Sequence, residues 1–303
     1  MIVDRLQLLE KEIAALKTLA SRLSEEVAQL RHELRLQKHP VEAFLSQRGL
    51  PVMAHGERGQ LLLPPNATLE QKERFYDLLK RYSFRLFLRD LIQFPQGADF
   101  SVLSRYCSSK TVRSYLGSLS ELGIAEFHED KSYRLIPSRI TSFGLTLEWF
   151  VSELFQREFL SPSLFNVRLE QTRYGGDYDV IALLAGYLVY VEVKSSPPRG
   201  VEQPAVSAFL NRLEDLQPHL AIFLVDTELR MKDKIALLFA EALQRKVAEN
   251  EPHRPVVRLV DEIFHIGHGI YLINSRKGIY SNIRLCFRDF LRRGKGNRSR
   301  AEE

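Results

Sequence analysis

Apolar residues recur along the first part of the chain at Ile2, Leu6, Leu9, Ile13, Leu16, Ala20, Leu23, Val27, Leu30 and Leu34, at alternating spacings of four and three. A 4-3 repeat of this length is a heptad seam. Leucine dominates one side of the repeat, and Ile13 and Val27 fall on the other, which favours two parallel strands. In a parallel pair the flanking contacts Arg5–Glu10, Glu12–Lys17 and Glu26–Arg31 all join opposite charges. The seam therefore predicts a homodimeric coiled coil through residues 2–34, within a segment 1–39. A single amphipathic helix packed on its own body is the alternative. Proline lacks the amide donor and disfavours helix in the residue before it, so His39-Pro40 should end this element.

Residues 40–68 combine Leu61, Leu62 and Leu63 with Gly, Pro and Asn, and read as a connector with room for one hairpin. Asn66-Ala67-Thr68 spells a glycosylation acceptor but reads as a turn and helix start. Beyond it the pattern predicts one long helix over 69–94, a short helix over 99–106, and a third capped by Ser108 or Ser109. That third helix places Val112, Tyr115, Leu116, Leu119 and Leu122 on one face and ends at Gly123. Two strands follow, over 124–127 and 133–136, joined by His128-Glu129-Asp130-Lys131. This order resembles a winged helix-turn-helix over 69–138. The resemblance implies that Lys110, Thr111, Arg113 and Ser114 face DNA, with Lys131 and Arg134 on the wing. A winged helix used for dimerisation or domain packing is the alternative.

The segment 175–196 reads as a hairpin whose two β-rich runs meet at Ala185-Gly186. If those are the turn residues, paired positions sum to 371, and Asp179 and Glu192 become cross-strand neighbours on one face with Lys194 two residues beyond. Like charges so placed repel unless something compensates, and a divalent cation with oxygen ligands is the natural candidate. The pattern resembles the PD-(D/E)XK nuclease superfamily: Asp179 matches its aspartate, Glu192-Val193-Lys194 its E-x-K, and Glu148 in 144–151 its upstream glutamate. Tyr178 stands where the family often has proline. The resemblance implies an α/β fold over 139–303, with a mixed central sheet flanked by helices as in restriction endonucleases. It also implies hydrolysis of phosphodiesters with Mg²⁺ or Mn²⁺ held by Asp179, Glu192 and the Val193 carbonyl. Lys194 would orient or deprotonate water, and Glu148 would serve a second ion or its water shell. Asp177 reads either as an extra ligand or as a turn residue. The other E-x-K copies, Glu70-Gln71-Lys72 and Glu129-Asp130-Lys131, follow no apolar strand.

Charge sharpens this picture. Residues 1–40, 41–140, 141–252 and 253–303 carry +1, +3, −5 and +6, so the acidic block holding the three carboxylates lies between basic flanks. Arg292 and Arg293, in the last of these, are candidate phosphate contacts. Cys107 and Cys286 are too few for a disulfide framework or a thiolate zinc site. No apolar run approaches ~20 residues, so no membrane span is expected and the location expected is cytoplasmic. His265-Ile266-Gly267-His268 spells a nucleotide-binding signature, but it sits before a strand near the C-terminus rather than at an early strand-to-helix turn. The expectation is a dimeric, metal-dependent DNA endonuclease, with RNA left open as a substrate. A nuclease-fold DNA-binding or scaffold protein without turnover is the alternative.

Overall fold

The computed structural model describes residues 2–36, 38–56, 61–94, 100–127, 133–136, 140–248 and 254–294. The heptad segment forms one helix, α1 (Ile2–Leu36), about 50 Å long at 1.5 Å per residue. Side chains 11–29 of α1 are exposed, and Ile13, Leu16, Leu23 and Val27 keep 44–64% of their surface. The helix therefore does not pack on its own body there. Pro40 takes the first position of α2 (Pro40–Gln47), where a missing amide costs nothing, and His39 Nδ1 accepts from Val41 N at 3.3 Å.

The connector expected over 40–68 is more ordered than its composition implied. Val41 and Leu45 of α2 are buried beneath the main sheet, and β1 (Val52–Ala54) pairs antiparallel with a strand more than a hundred residues later. Chain composition carries no sign of so distant a partner. The single helix expected over 69–94 is two, α3 (Leu69–Leu79) and α4 (Tyr82–Gln93). Arg85 explains the break, because its Nη1 donates to the Leu79 and Lys80 carbonyls at 2.7 and 3.3 Å and so closes α3. Next come α5 (Phe100–Leu103), α6 (Ser109–Glu121), β2 (Ala125–Phe127) and β3 (Tyr133–Leu135), the last two paired antiparallel. Ser108 caps α6 and Gly123, with φ +68°, ends it. The turn expected at 128–131 lies outside the described residues.

The remaining elements are α7 (Gly144–Glu158), β4 (Ser163–Leu169), β5 (Asp177–Leu184), β6 (Tyr187–Lys194), α8 (Gln203–Leu216), β7 (Leu220–Val225), α9 (Leu237–Ala248), β8 (Val256–Val260), β9 (Ile263–Ile266), β10 (Ile270–Ile273) and α10 (Ile279–Gly294). The main sheet has eight strands in the order β1-β4-β5-β6-β7-β10-β9-β8, with β6, β7 and β10 parallel and the rest antiparallel to their neighbours. One face buries Val180, Ala182, Val189 and Val191 against α7, and this core runs without a break into α3, α4 and α6. The other buries Ile181, Leu188, Tyr190 and Phe223 against α8 and α9. This is a mixed α/β fold with helices on both faces of the sheet. No described helix is long and apolar enough to cross a membrane.

One buried ion pair ties the helices to the end of the sheet. Asp226, just past β7, accepts from Arg85 Nε at 3.1 and 3.0 Å and from Arg85 Nη2 at 2.8 Å, and also from Arg89 and Ser275. Arg85 is 2% exposed and Asp226 fully buried. Burial pushes the Asp226 carboxyl up, but the two guanidiniums outweigh it and hold the carboxyl below its ordinary range. Removing Asp226 strands the buried Arg85 guanidinium, so Asp226→Leu should cost about 3–5 kcal/mol in urea unfolding, and Arg85→Met less, because Arg89 and Ser275 still meet the carboxylate. The double variant should recover most of that loss. If it is no more stable than Asp226→Leu alone, this pair does not fasten the two parts together.

Candidate active site

The hairpin forms with the register counted from sequence. Ala185 and Gly186 turn at φ +50° and +82°, and the ladder runs from Leu184↔Tyr187 to Val180↔Val191, every pair summing to 371. Asp179 and Glu192 lie one step past the last pair. There the side chain continues what the backbone stops: Asp179 Oδ2 accepts the Val193 amide at 2.6 Å. Asp179 is thereby bonded to the strand that carries Glu192 and Lys194.

Glu192 is buried, and three donors converge on it. Lys194 Nζ reaches Oε1 at 2.6 Å, Arg212 Nη1 reaches Oε1 and Oε2 at 3.1 and 2.9 Å, and the Tyr190 hydroxyl donates to Oε2. Tyr190, Glu192 and Lys194 alternate along β6 and so share a face. Arg212 arrives from α8. Its approach needs Gly176 (φ +93°), where a Cβ would sit 3.1 Å from Arg212 Nη2. Asp215, one turn further along α8, accepts the Arg173 and Tyr174 amides at 3.1 and 2.9 Å. Helix α8 thus holds both Glu192 and the loop that leads into β5.

Electrostatics separates the carboxylates. Burial, with the charges of Glu192 and Glu148 added, pushes the Asp179 carboxyl well above its ordinary value. Burial and then the Glu192 charge push Glu148 up to about 7, against the pull of Lys194. Burial works against the Lys194 ammonium, yet Glu192 and Asp179 outweigh it and raise its pKa. Lys194 is therefore a charged donor in this arrangement and not a free base.

Asp177 pairs with Arg168 across β4 and β5 at 2.7 Å, so the strand entrance is a salt bridge. On α6, Lys110, Arg113 and Ser114 are exposed, while the Thr111 hydroxyl meets the Ser108 cap at 2.9 Å. Arg134 pairs with Glu126 at 3.0 Å, which offsets the wing charge expected of it. Lys131 lies outside the described residues. Arg292 and Arg293 are exposed at the end of α10, whose Phe287 and Phe290 pack around Tyr187 at the opposite end of β6 from Glu192. Among the described residues, none of Lys110, Thr111, Ser114, Arg134, Arg292 and Arg293 is hydrogen-bonded to the acidic cluster.

Among the described residues no three His, Cys, Asp or Glu side chains form a group arranged to hold a metal. The donor chemistry at Asp179 nevertheless fits a hard cation. Its Oδ1 has no partner among the described residues, its charge is opposed by Glu192 and Glu148, and Glu192 and the Val193 carbonyl supply further oxygens on the adjoining strand. Sequence pattern did not reveal Arg212, Asp215 or Tyr190. Only Tyr190 left a trace, as the residue two before Glu192 on the same strand face.

No family profile and no curated protein matches the chain. Among solved structures, protein VC1899 from Vibrio cholerae is similar over 82% of this chain and 62% of its own, at 16% identity and a TM-score of 0.48. Can2 from Sulfobacillus thermosulfidooxidans, solved in complex with cyclic tetra-adenylate, is similar over 80% of this chain and 60% of its own, at 11% identity and a TM-score of 0.45. The chain thus spans about six tenths of the length of either structure.

A carboxyl raised by folding is most costly once it ionises. The unfolded Glu148 loses its proton near 4.5 and the folded one near 7, so stability from this group falls as pH rises through that window. With metal chelated, Glu148→Gln should be more stable than the parent at pH 8 by about 1–3 kcal/mol and little different at pH 4.5. Urea unfolding at the two pH values checks this. An equal difference at both would show that Glu148 does not titrate against this cluster.

Proposed function

We propose that this chain is a metal-dependent nuclease that hydrolyses phosphodiester bonds of DNA. In this reading residues 40–56 and 140–294 form a restriction endonuclease-like domain, 69–138 a winged helix-turn-helix, and 1–39 a coiled coil. The observation that carries the reading is the meeting of Asp179, Glu192 and Lys194 at the end of the β5–β6 ladder, with Glu148 brought into their field from α7. Four ionisable groups of those types are what phosphodiester hydrolysis with Mg²⁺ or Mn²⁺ needs.

Asp179, Glu192 and the Val193 carbonyl would hold the divalent ion, which would supply charge stabilisation at the phosphate and acidify a bound water. The chain's own groups do the rest. Lys194, held as an ammonium, orients the attacking water and meets the negative charge that develops on the phosphate oxygens. Glu148, poised near neutrality, is the group suited to take the water's proton. Arg212 and Tyr190 fix the Glu192 carboxylate and spare it a search over rotamers.

The same Arg212 contact favours a second reading, a nuclease-fold protein without turnover, because it occupies both Glu192 oxygens. Incubation with Mg²⁺ or Mn²⁺ and single-stranded, duplex, branched and RNA substrates separates the two. Cleavage is expected, and Asp179→Ala or Lys194→Ala should reduce it by about 10²-fold or more. If nothing is cut, or if Asp179→Ala cuts as well as the parent, the catalytic assignment falls.

The exposed seam of α1 supports a homodimer in which two copies lie parallel. An isolated helix with this much apolar surface in water is marginal, and a second copy covers the seam. Light scattering at micromolar concentration should give twice the chain mass, and Leu16→Asp with Leu23→Asp should give a monomer. A monomeric parent would end the dimer reading.

A further inference from the structure

A cleft of about 280 Å³ opens where the chain leaves the strand of Lys194 and where it enters the helix of Glu148. Ser195 and Ser196 follow Lys194 directly, and Thr141 and Ser142 lead into the first turn of α7. The third wall is α4, through Arg89 and Gln93. Among the described residues no carboxylate lines the cleft, and Arg89 is the charged residue among its walls.

Arg89 has bonding capacity to spare. The Arg85 guanidinium and Ser275 already crowd the Asp226 carboxylate, so Arg89 reaches it, and the Asp226 carbonyl at 3.0 Å, through Nη2 alone. Its Nε is buried with no acceptor among the described residues, and two guanidiniums share one carboxylate. Asp90, the next residue, does not line the cleft, and its carboxyl, raised by burial, has Arg105 as its larger charged neighbour. The hydroxyls of Thr141, Ser142, Ser195 and Ser196 donate to nothing among the described residues. A cleft with surplus cation, unengaged hydroxyl donors and no acid is built for an oxyanion.

Position says which oxyanion. The Asp226 amide donates to the Lys194 carbonyl at 2.8 Å, and the Asp226 carbonyl accepts from Arg89, so two hydrogen bonds link the cleft's cation to the strand end that carries Lys194. A polymer threaded past Lys194 would present its next charged group here. We infer that the Arg89–Ser142–Ser196 cleft receives a backbone phosphate of the nucleic-acid strand, next to the phosphate at Lys194. The inference rests on the nuclease reading for the identity of the strand. It adds a subsite that orients the strand between the sheet and the helices of 69–135.

Ser142 and Ser196 are exposed and belong to none of the proposed catalytic groups, so a carboxylate placed there repels a phosphate without emptying the core. The test compares full-length Ser142→Glu and Ser196→Glu with Gln244→Glu, an exposed control on α9, by fluorescence anisotropy on labelled single-stranded and duplex DNA with metal chelated. Each cleft variant should raise Kd about 10-fold and flatten its salt dependence by about one counterion, while the control matches the parent. Unchanged binding in the cleft variants overturns the inference, as does a parent that binds neither DNA. Cleavage assays on the same proteins keep the readings apart. Turnover with unchanged KM in the cleft variants removes the subsite and leaves the nuclease, whereas lost binding with no turnover in the parent removes the nuclease and leaves the subsite.

Discussion

The buried charge at Asp226 is the constraint on which much of this molecule depends. A carboxylate without solvent at the end of β7 requires a cation, and Arg85 meets it only by projecting from the start of α4. That single demand has three consequences. It splits what would be one long helix, since the same guanidinium closes α3; it seats α4 over the end of the sheet where Lys194 emerges; and it leaves Arg89 as a second, half-used cation at that junction. The aromatic contacts of Phe75 on Trp149 and Tyr76 on Phe150 seat the neighbouring α3 on α7 through apolar surface.

The acidic cluster shows the opposite balance. Glu192 is matched by Lys194 and Arg212, whereas Asp179 and Glu148 remain in conflict with it and with each other. Natural folds retain such local conflict where it serves a site, and the surrounding structure has to hold it in place. Here the holding is done by α8, which grips Glu192 through Arg212 and the approach to β5 through Asp215, and by the Val193 amide, which fixes Asp179. The carboxylates cannot relax apart without breaking bonds in elements that also carry the core.

Much of this was legible in the sequence where the determinants are local. A turn dipeptide between two β-rich runs was enough to count the β5–β6 register. Caps at Ser108 and Gly123 and the Pro40 break are local in the same sense. Long-range partners left no comparable mark. β1 finds its place only beside β4, Arg85 has its carboxylate 141 positions away, and Arg212 reaches Glu192 from a helix whose own pattern shows only an apolar face. Pairings of that kind depend on how the layers stack, which periodicity along one segment does not encode.

The two-residue turn at Ala185-Gly186 also acts as a ruler. Because side chains alternate faces, the distance along the chain from Asp179 to Glu192 decides whether the two carboxylates arrive on the same strand end together or are carried to opposite sides of the sheet. A single residue inserted or deleted in that interval would leave two good strands, an intact core pattern and a dismantled site. Substitutions within the hairpin can be absorbed by packing; a change of length cannot. Related chains that keep this chemistry should therefore vary freely in the identity of these residues and hardly at all in their number.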